Sequence, residues 1–278
     1  AARQAGFPAS SVVELPVDNR FRIDVTALKR RVAQDRKEGS RPALIIASAG
    51  TTNTGAVDPL AELAELARRE EMWLHVDGAY GGFFLLTERG RRALAGIEAS
   101  DSVTLDPHKG LFLPYGTGSI VVRDGQRLKR AMEFEADYLQ DLSFDERRIN
   151  LHEYSLEMSR DFRGLRVWLP LVMFGREAYR ATLDEKLDMT AWLYQRLRGV
   201  KELTFLDEPQ LSILAFTARD NERSRHLMRR VNESQQVLLS STMINGRYVV
   251  RICILNFRTD WPVIHRLADL IEQAAREL

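Results

Sequence analysis

A parallel-rich α/β fold with a smaller α+β unit at its C-terminal end is what this sequence predicts, on three observations. Short apolar runs alternate with amphipathic helical stretches up to about residue 125. Two of those runs end at or just before polar residues of opposite charge, Asp77 and Lys109, as expected where strands deliver their side chains to a cleft. Beyond about residue 210 the apolar runs crowd together, two of them joined by Asn245-Gly246, a strong tight-hairpin signal.

The elements follow in order. Lys29-Arg30-Arg31 reads as the wet face of a helix. The run from Ala43 to Ser48 is short and apolar with a glycine behind it, and reads as a strand buried on both faces. Asp58-Pro59 opens a helix, with aspartate at the cap and proline in the first turn. Leu60, Leu63, Ala64 and Ala67 make its packed stripe, while Glu62, Glu65, Arg68 and Arg69 face water. Met72 to Val76 is the next strand, so that strand, helix and strand form a parallel βαβ unit. Ser102 to Leu105 and Ser119 to Val122 are further strands. From about Asp137 to Asn150 the residues are polar and irregular and suggest a mobile loop. Ser155 to Arg198 reads as long helices interrupted near Pro170 and Gly175. Leu211 to Thr217 is a strand, Glu222 to Asn232 a helix, and Val237 to Ser241 and Tyr248 to Leu255 the hairpin strands. The amphipathic helix Val263 to Leu278 closes the chain, with no internal repeat and no low-complexity linker along it.

Composition narrows the function classes. The 278 residues can bury a substantial core, and 45% apolar with 28% charged residues is ordinary for a globular protein. Forty basic against 39 acidic residues leave a formal charge of +1, which calls for neither nucleic acid nor an anionic membrane. The single cysteine, Cys253, sits in the apolar run Val249 to Leu255 and is expected to be a buried, inert thiol. One cysteine makes no intrachain disulfide, in keeping with a reducing compartment. No stretch of about 18 apolar residues occurs. A cytoplasmic enzyme without a metal site or membrane segment is the expectation.

Lys109, in Asp106-Pro107-His108-Lys109, and Asp77, which ends an earlier apolar run, carry the chemical argument. A lysine amine in a partly desolvated cleft has a lowered pKa and forms a Schiff base with an aldehyde. A carboxylate across the cleft keeps a pyridine nitrogen protonated, turning the ring into an electron sink. The pairing suggests pyridoxal phosphate. The plainer alternative for either residue alone is a helix cap and a solvated loop lysine.

Three segments extend the pair: Ser48-Ala49-Gly50-Thr51-Thr52-Asn53-Thr54-Gly55, His75-Val76-Asp77-Gly78-Ala79-Tyr80-Gly81-Gly82, and Asp106-Pro107-His108-Lys109. In order and spacing the chain resembles the group II pyridoxal-phosphate-dependent amino acid decarboxylases, and matches at Tyr138, Arg160 to Trp168 and Arg251 to Thr259 carry the likeness almost to the C-terminus. The resemblance implies a fold-type I transferase-like large domain truncated at its N-terminus, residues 1–165, followed by a small α+β C-terminal domain, residues 166–278. It also implies a phosphate-binding turn and a ring-stacking aromatic residue ahead of the segment matching Ala1. The chain is therefore expected to be the C-terminal portion of a longer enzyme, the alternative being a naturally short relative that has lost the chemistry.

Site roles follow from the same resemblance. Lys109 would hold the cofactor, Asp77 would pair with its pyridinium nitrogen, and Ala79 would lie against the ring face. Thr51 would stand near the ring substituents, or equally be a turn hydroxyl serving nearby backbone. His108 would contact the phosphate or the substrate carboxylate, or be a buried histidine bonded to backbone. Asp106 would lie near the phosphate, which an acid tolerates only if its backbone N–H does the binding or its carboxylate faces elsewhere. Tyr138 would protonate the substrate Cα after carbon dioxide leaves; its alternative is an aromatic anchor for the loop. Arg160 matches an arginine at the end of the large domain, and Arg251, Asn256 and Arg258 match a C-terminal pattern that is mainly structural in the family; buried arginines of this kind more often hold domains together than touch substrate. Gly110 departs from the bulky residue that many eukaryotic members carry after the lysine, which puts transfer of their substrate preference in doubt. The implied function is decarboxylation of an L-amino acid, aromatic in preference to glutamate, by a homodimer. The alternatives are another fold-type I enzyme of this cofactor (an aldehyde synthase, an aminotransferase or a lyase) and an inactive fragment with only structural or dimerisation capacity.

Overall fold

The computed structural model describes residues 2, 4–132 and 149–278. The basic run Lys29-Arg30-Arg31 lies on the exposed side of helix α1 (Val25–Lys37), which starts where the Asp24 carboxylate accepts the Ala27 N–H at 3.0 Å and which buries Val25, Leu28 and Val32. Strand β1 (Leu44–Ser48), helix α2 (Leu60–Arg69) and strand β2 (Trp73–Asp77) form the expected parallel unit. After helix α3 (Glu88–Ala93), strand β3 (Ser102–Leu105) adds to β2 in parallel and leads into the single turn α4 (Pro107–Gly110). Strand β4 (Ser119–Val122) closes this sheet antiparallel to β3, in the order β1-β2-β3-β4, and helix α5 (Gly125–Met132) follows.

Two expectations fail in this half. Strand β1 is buried on one face only: Ile45 and Ala47 are enclosed in a core with α1 and α2, whereas Leu44 and Ile46 are 48% and 55% exposed. A period of two separates the faces, and the described helices cover just one of them. Asp58 does not cap α2 either, since Pro59 holds the cap position. The Asp58 carboxylate is buried and accepts the N–H groups of Ile23 at 2.8 Å and Ser48 at 2.7 Å, tying the start of α1 to the end of β1.

Helix α6 (Gly164–Leu197) runs through Pro170 and breaks at Gly175, where φ 74° and ψ 161° lie outside helical space and favour glycine. Past the break it serves two cores, Leu183 and Leu187 packing with the first sheet and Met189, Leu193 and Leu197 with the second. The second sheet is antiparallel, in the order β5-β6-β8-β7, from β5 (Thr204–Phe205), β6 (Ile213–Thr217), β7 (Ser240–Ile244) and β8 (Arg247–Cys253). Helices α7 (Asn221–Glu233) and α8 (Trp261–Arg276) pack with it. Asn245 (φ 49°) and Gly246 (φ 75°) make the hairpin turn, both with the positive φ that this turn class demands. Strand β7 begins three residues later than the apolar pattern suggests, because the Asn232 side-chain amide pairs with both backbone groups of Leu239 (2.7 and 3.1 Å). Cys253 is another correction: Val250 and Ile252 take the inward positions of β8, so Arg251 and Cys253 point outward and the cysteine is exposed. Among the described residues no helix is long and apolar enough to cross a membrane.

Candidate active site

Strands β2 and β3 are parallel neighbours, with Asp77 paired in register to Thr104 and, on its other side, to Ser48. Asp77 is the last residue of β2, and Asp106 to Lys109 begin directly after β3, so both reach the carboxyl edge of the sheet, where open α/β folds bind ligands. Asp77 is exposed and its Oδ1 accepts the Ala79 N–H at 3.1 Å. Among the described residues no cation stands within salt-bridge distance of it. Ala79 is half-buried. The chain then doubles back beneath β1 so tightly that a Cβ on Gly81 would sit 2.0 Å from the Ala49 carbonyl oxygen.

Lys109 extends from α4, its Nζ 2.8 Å from Asp106 Oδ2 and its side chain 42% exposed. The lysine is thus more open to solvent than its position in a cleft suggested. The Asp106 carboxylate faces the lysine ammonium one turn away, which removes the difficulty of an acid beside an anion. His108 Nδ1 is 2.7 Å from the Thr117 carbonyl oxygen and so carries a proton; its Nε2 lies 3.7 Å from Asp106 Oδ2, and the Tyr115 ring meets it edge-on at 5.0 Å. A Cβ on Gly110 would fall 2.6 Å from that of Phe83, so Phe83 fills the space that a bulky residue would need. Thr51 serves its own turn: Oγ1 is 2.8 Å from Thr54 Oγ1 and accepts the Ala56 N–H at 3.2 Å. Tyr138 lies outside the described residues.

The second half of the chain braces this edge. The Tyr80 hydroxyl is 2.8 Å from Ser212 Oγ and accepts the Ser212 N–H at the same distance. Arg251 donates from Nε to the Asn53 carbonyl at 2.9 Å, from Nη1 to Ser240 Oγ at 3.1 Å and from Nη2 to the Thr52 carbonyl, so it clamps the turn that displays Thr51. Arg160 instead stays on the surface, 2.5 Å from the Leu151 carbonyl, while Arg258 stacks on Phe257 and its N–H meets the Asn256 side chain.

A polar ladder that the sequence did not disclose lies on the same sheet face as Asp77. Trp73 Nε1–H donates to Ser102 Oγ at 2.8 Å, Ser102 Oγ is 2.8 Å from His75 Nδ1, and His75 Nε2 is 3.2 Å from Thr104 Oγ1. Burial pushes the His75 pKa down, opposed by the nearby Asp77 carboxylate. The alternation of β2 and β3 is the signal that would have found it, once their register was known.

An exposed carboxylate and a primary amine on neighbouring strand ends, with small residues between them, suit a flat ligand that carries a basic ring nitrogen and an aldehyde. Residues 1–219 match the family model described as the pyridoxal-dependent decarboxylase conserved domain. The chain is 35% identical to an aromatic-L-amino-acid decarboxylase of Bacillus atrophaeus, across its whole length and 60% of that relative's. It is 33% identical to an L-2,4-diaminobutyrate decarboxylase of Rhizobium meliloti, across 98% of the chain and 56% of the relative. A crystal structure of Oryza sativa TDC with PLP and tryptamine superposes with a TM-score of 0.93 at 25% identity, covering 99% of this chain and 59% of that one. The chain therefore spans less than two thirds of the length of these relatives.

Proposed function

The chain belongs to the pyridoxal-dependent decarboxylase family, and from that premise we propose that the protein binds pyridoxal phosphate and converts an L-amino acid, aromatic by preference, to its amine and carbon dioxide. The observation that carries the reading is the placement of Asp77 and Lys109, both solvent-accessible, at the carboxyl ends of adjacent parallel strands. When bound, the cofactor supplies an electron sink for the electron pair released as carbon dioxide leaves.

The chain's own residues do the rest. Asp106 Oδ2, 2.8 Å from Lys109 Nζ, orients the lysine side chain at the strand end, where its amine would anchor the aldehyde. Asp77 holds the proton on the ring nitrogen, and Ala79 leaves room for the ring while fixing the Asp77 carboxylate through its N–H. His108 has Nδ1 committed to Thr117, and in the imidazolium form its Nε2–H would donate to a phosphate or a substrate carboxylate. Thr51, on the turn clamped by Arg251, lines the ring's edge. Tyr138 is the proton donor to the substrate Cα.

The proposed units, a cofactor-binding part at 1–165 and a small C-terminal part at 166–278, have the two sheets as their support, with α6 shared between them. A homodimer fits the apolar side chains of Trp168, Val172, Met173 and Phe174, all exposed ahead of the break at Gly175. A single cysteine suits work in the cytoplasm. The test is product analysis on a panel of phenylalanine, tyrosine, tryptophan, 2,4-diaminobutyrate and glutamate. Amine and carbon dioxide in equal amounts from an aromatic substrate is the expected result. Aldehyde with ammonia, or turnover confined to glutamate, refutes it.

A further inference from the structure

We propose that His75 is a positioning residue for Asp77: a neutral imidazole, fixed with its proton on Nε2 by Trp73 and Ser102, that orders the polar floor on which Asp77 meets the cofactor's ring nitrogen. The inference rests on the cofactor reading above and adds a residue to it.

The direction of the ladder follows from what each group can do. An indole N–H only donates, so Ser102 Oγ is the acceptor of the 2.8 Å bond from Trp73. The single hydroxyl hydrogen of Ser102 is then left for His75 Nδ1, also at 2.8 Å. With Nδ1 accepting, the imidazole proton sits on Nε2 and donates to Thr104 Oγ1 at 3.2 Å. Thr104 keeps its own hydrogen as the free donor at the end of the ladder, and it is the register partner of Asp77.

Charge makes the arrangement consequential. Two residues apart on one strand face, His75 and Asp77 interact, and a protonated imidazole would draw the carboxylate's field away from the ring nitrogen. Burial of His75 opposes that protonation. Two further charged groups stand near the ladder: the Arg127 guanidinium lies over the Trp73 ring at 5.9 Å, at the end remote from Asp77, and the Asp101 carboxylate accepts the Leu74 N–H at 2.8 Å. A histidine that merely filled space would need no such ordered partners on both nitrogens.

The test combines nitrogen NMR of histidine-labelled protein with titration of pyridoxal phosphate into the apo-protein. His75 is assigned by the signals lost in His75→Gln. At neutral pH it should show a protonated Nε2 and a bare Nδ1, and Ser102→Ala should relax that preference. His75→Phe, which keeps a flat ring but loses both nitrogens, should weaken cofactor binding by about tenfold, a factor worth about 1.4 kcal/mol. His75→Gln, whose amide oxygen and N–H can replace the two contacts, should stay within about threefold on that scale. Circular dichroism of each variant confirms that binding is read on folded protein, and His75→Gln with Ser102→Ala decides the matter if His75→Phe does not fold. An imidazolium, a proton on Nδ1, wild-type affinity in His75→Phe, or a His75→Gln as weak as His75→Phe overturns the role. Wild-type protein that takes up no pyridoxal phosphate would instead overturn the cofactor reading, a result distinguishable because the NMR state of His75 is measured without cofactor.

Discussion

Replacing Asp77 by asparagine separates chemistry from folding with little ambiguity. The substitution is nearly isosteric and keeps a carbonyl oxygen to accept the Ala79 N–H now bonded at 3.1 Å. Asp77 is exposed and has no salt bridge among the described residues, so no buried charge is orphaned. The stability change should therefore stay within about 0.5 kcal/mol, the range of surface substitutions. The functional loss is of another size. A carboxylate beside a ring nitrogen shifts its proton affinity by pKa units worth about 1.4 kcal/mol each, and two such units make a turnover deficit of about a hundredfold. The assay is single-turnover carbon dioxide release alongside urea unfolding. Turnover within about threefold of wild type, or an unfolding loss above about 2 kcal/mol, would refute the reasoning, the first by denying the ring contact and the second by making Asp77 a structural cap.

Borohydride reduction of the cofactor-loaded protein should leave a pyridoxyl label on Lys109, absent in Lys109→Ala; peptide mapping to any other lysine contradicts the assignment. Asp58→Asn replaces one accepting oxygen by an NH2 donor that faces a backbone N–H now bonded at 2.7 or 2.8 Å, and should cost about 1–3 kcal/mol in urea unfolding. Burial holds the folded Asp58 pKa above its ordinary 3.8, so the folded state keeps a proton that the unfolded state has released. Stability from this group is therefore fully present below 3.8 and falls as pH rises through the folded value, and the advantage of wild type over Asp58→Asn should shrink from about pH 4 towards neutrality; an advantage that grew with pH would disprove the shift.

What could be read in advance was local. Asn245-Gly246 dictates its turn through two residues' own backbone preferences, and the stripe from Leu60 to Ala67 needs only the helical period. Lys109 and Asp77 were legible because strand ends announce themselves where apolar runs stop. Most of the failures depended on what lies outside the segment, and Cys253 on which face of β8 the core claims. Asp58 resembles a helix cap until the N–H groups of Ile23 and Ser48 claim it. Leu44 and Ile46 look like core residues until the outer face of β1 is found open. Asn232 delays β7 from across a loop. The His75 ladder needs the register of two strands whose paired residues lie 27 positions apart, which no single-strand pattern contains.

The phenol of Tyr80 stands three residues beyond Asp77, close enough in sequence to look like an acid for the reaction. Its lodging against Ser212 rules it out. Enclosure raises its pKa far above that of a free phenol, and its oxygen is already engaged by the Ser212 hydroxyl and N–H. Enclosure favours the protonated phenol, and the bonds to Ser212 hold it in place. It is a spectator to proton traffic, and the carboxyl edge of the first sheet keeps its shape while hydrogen ions move elsewhere.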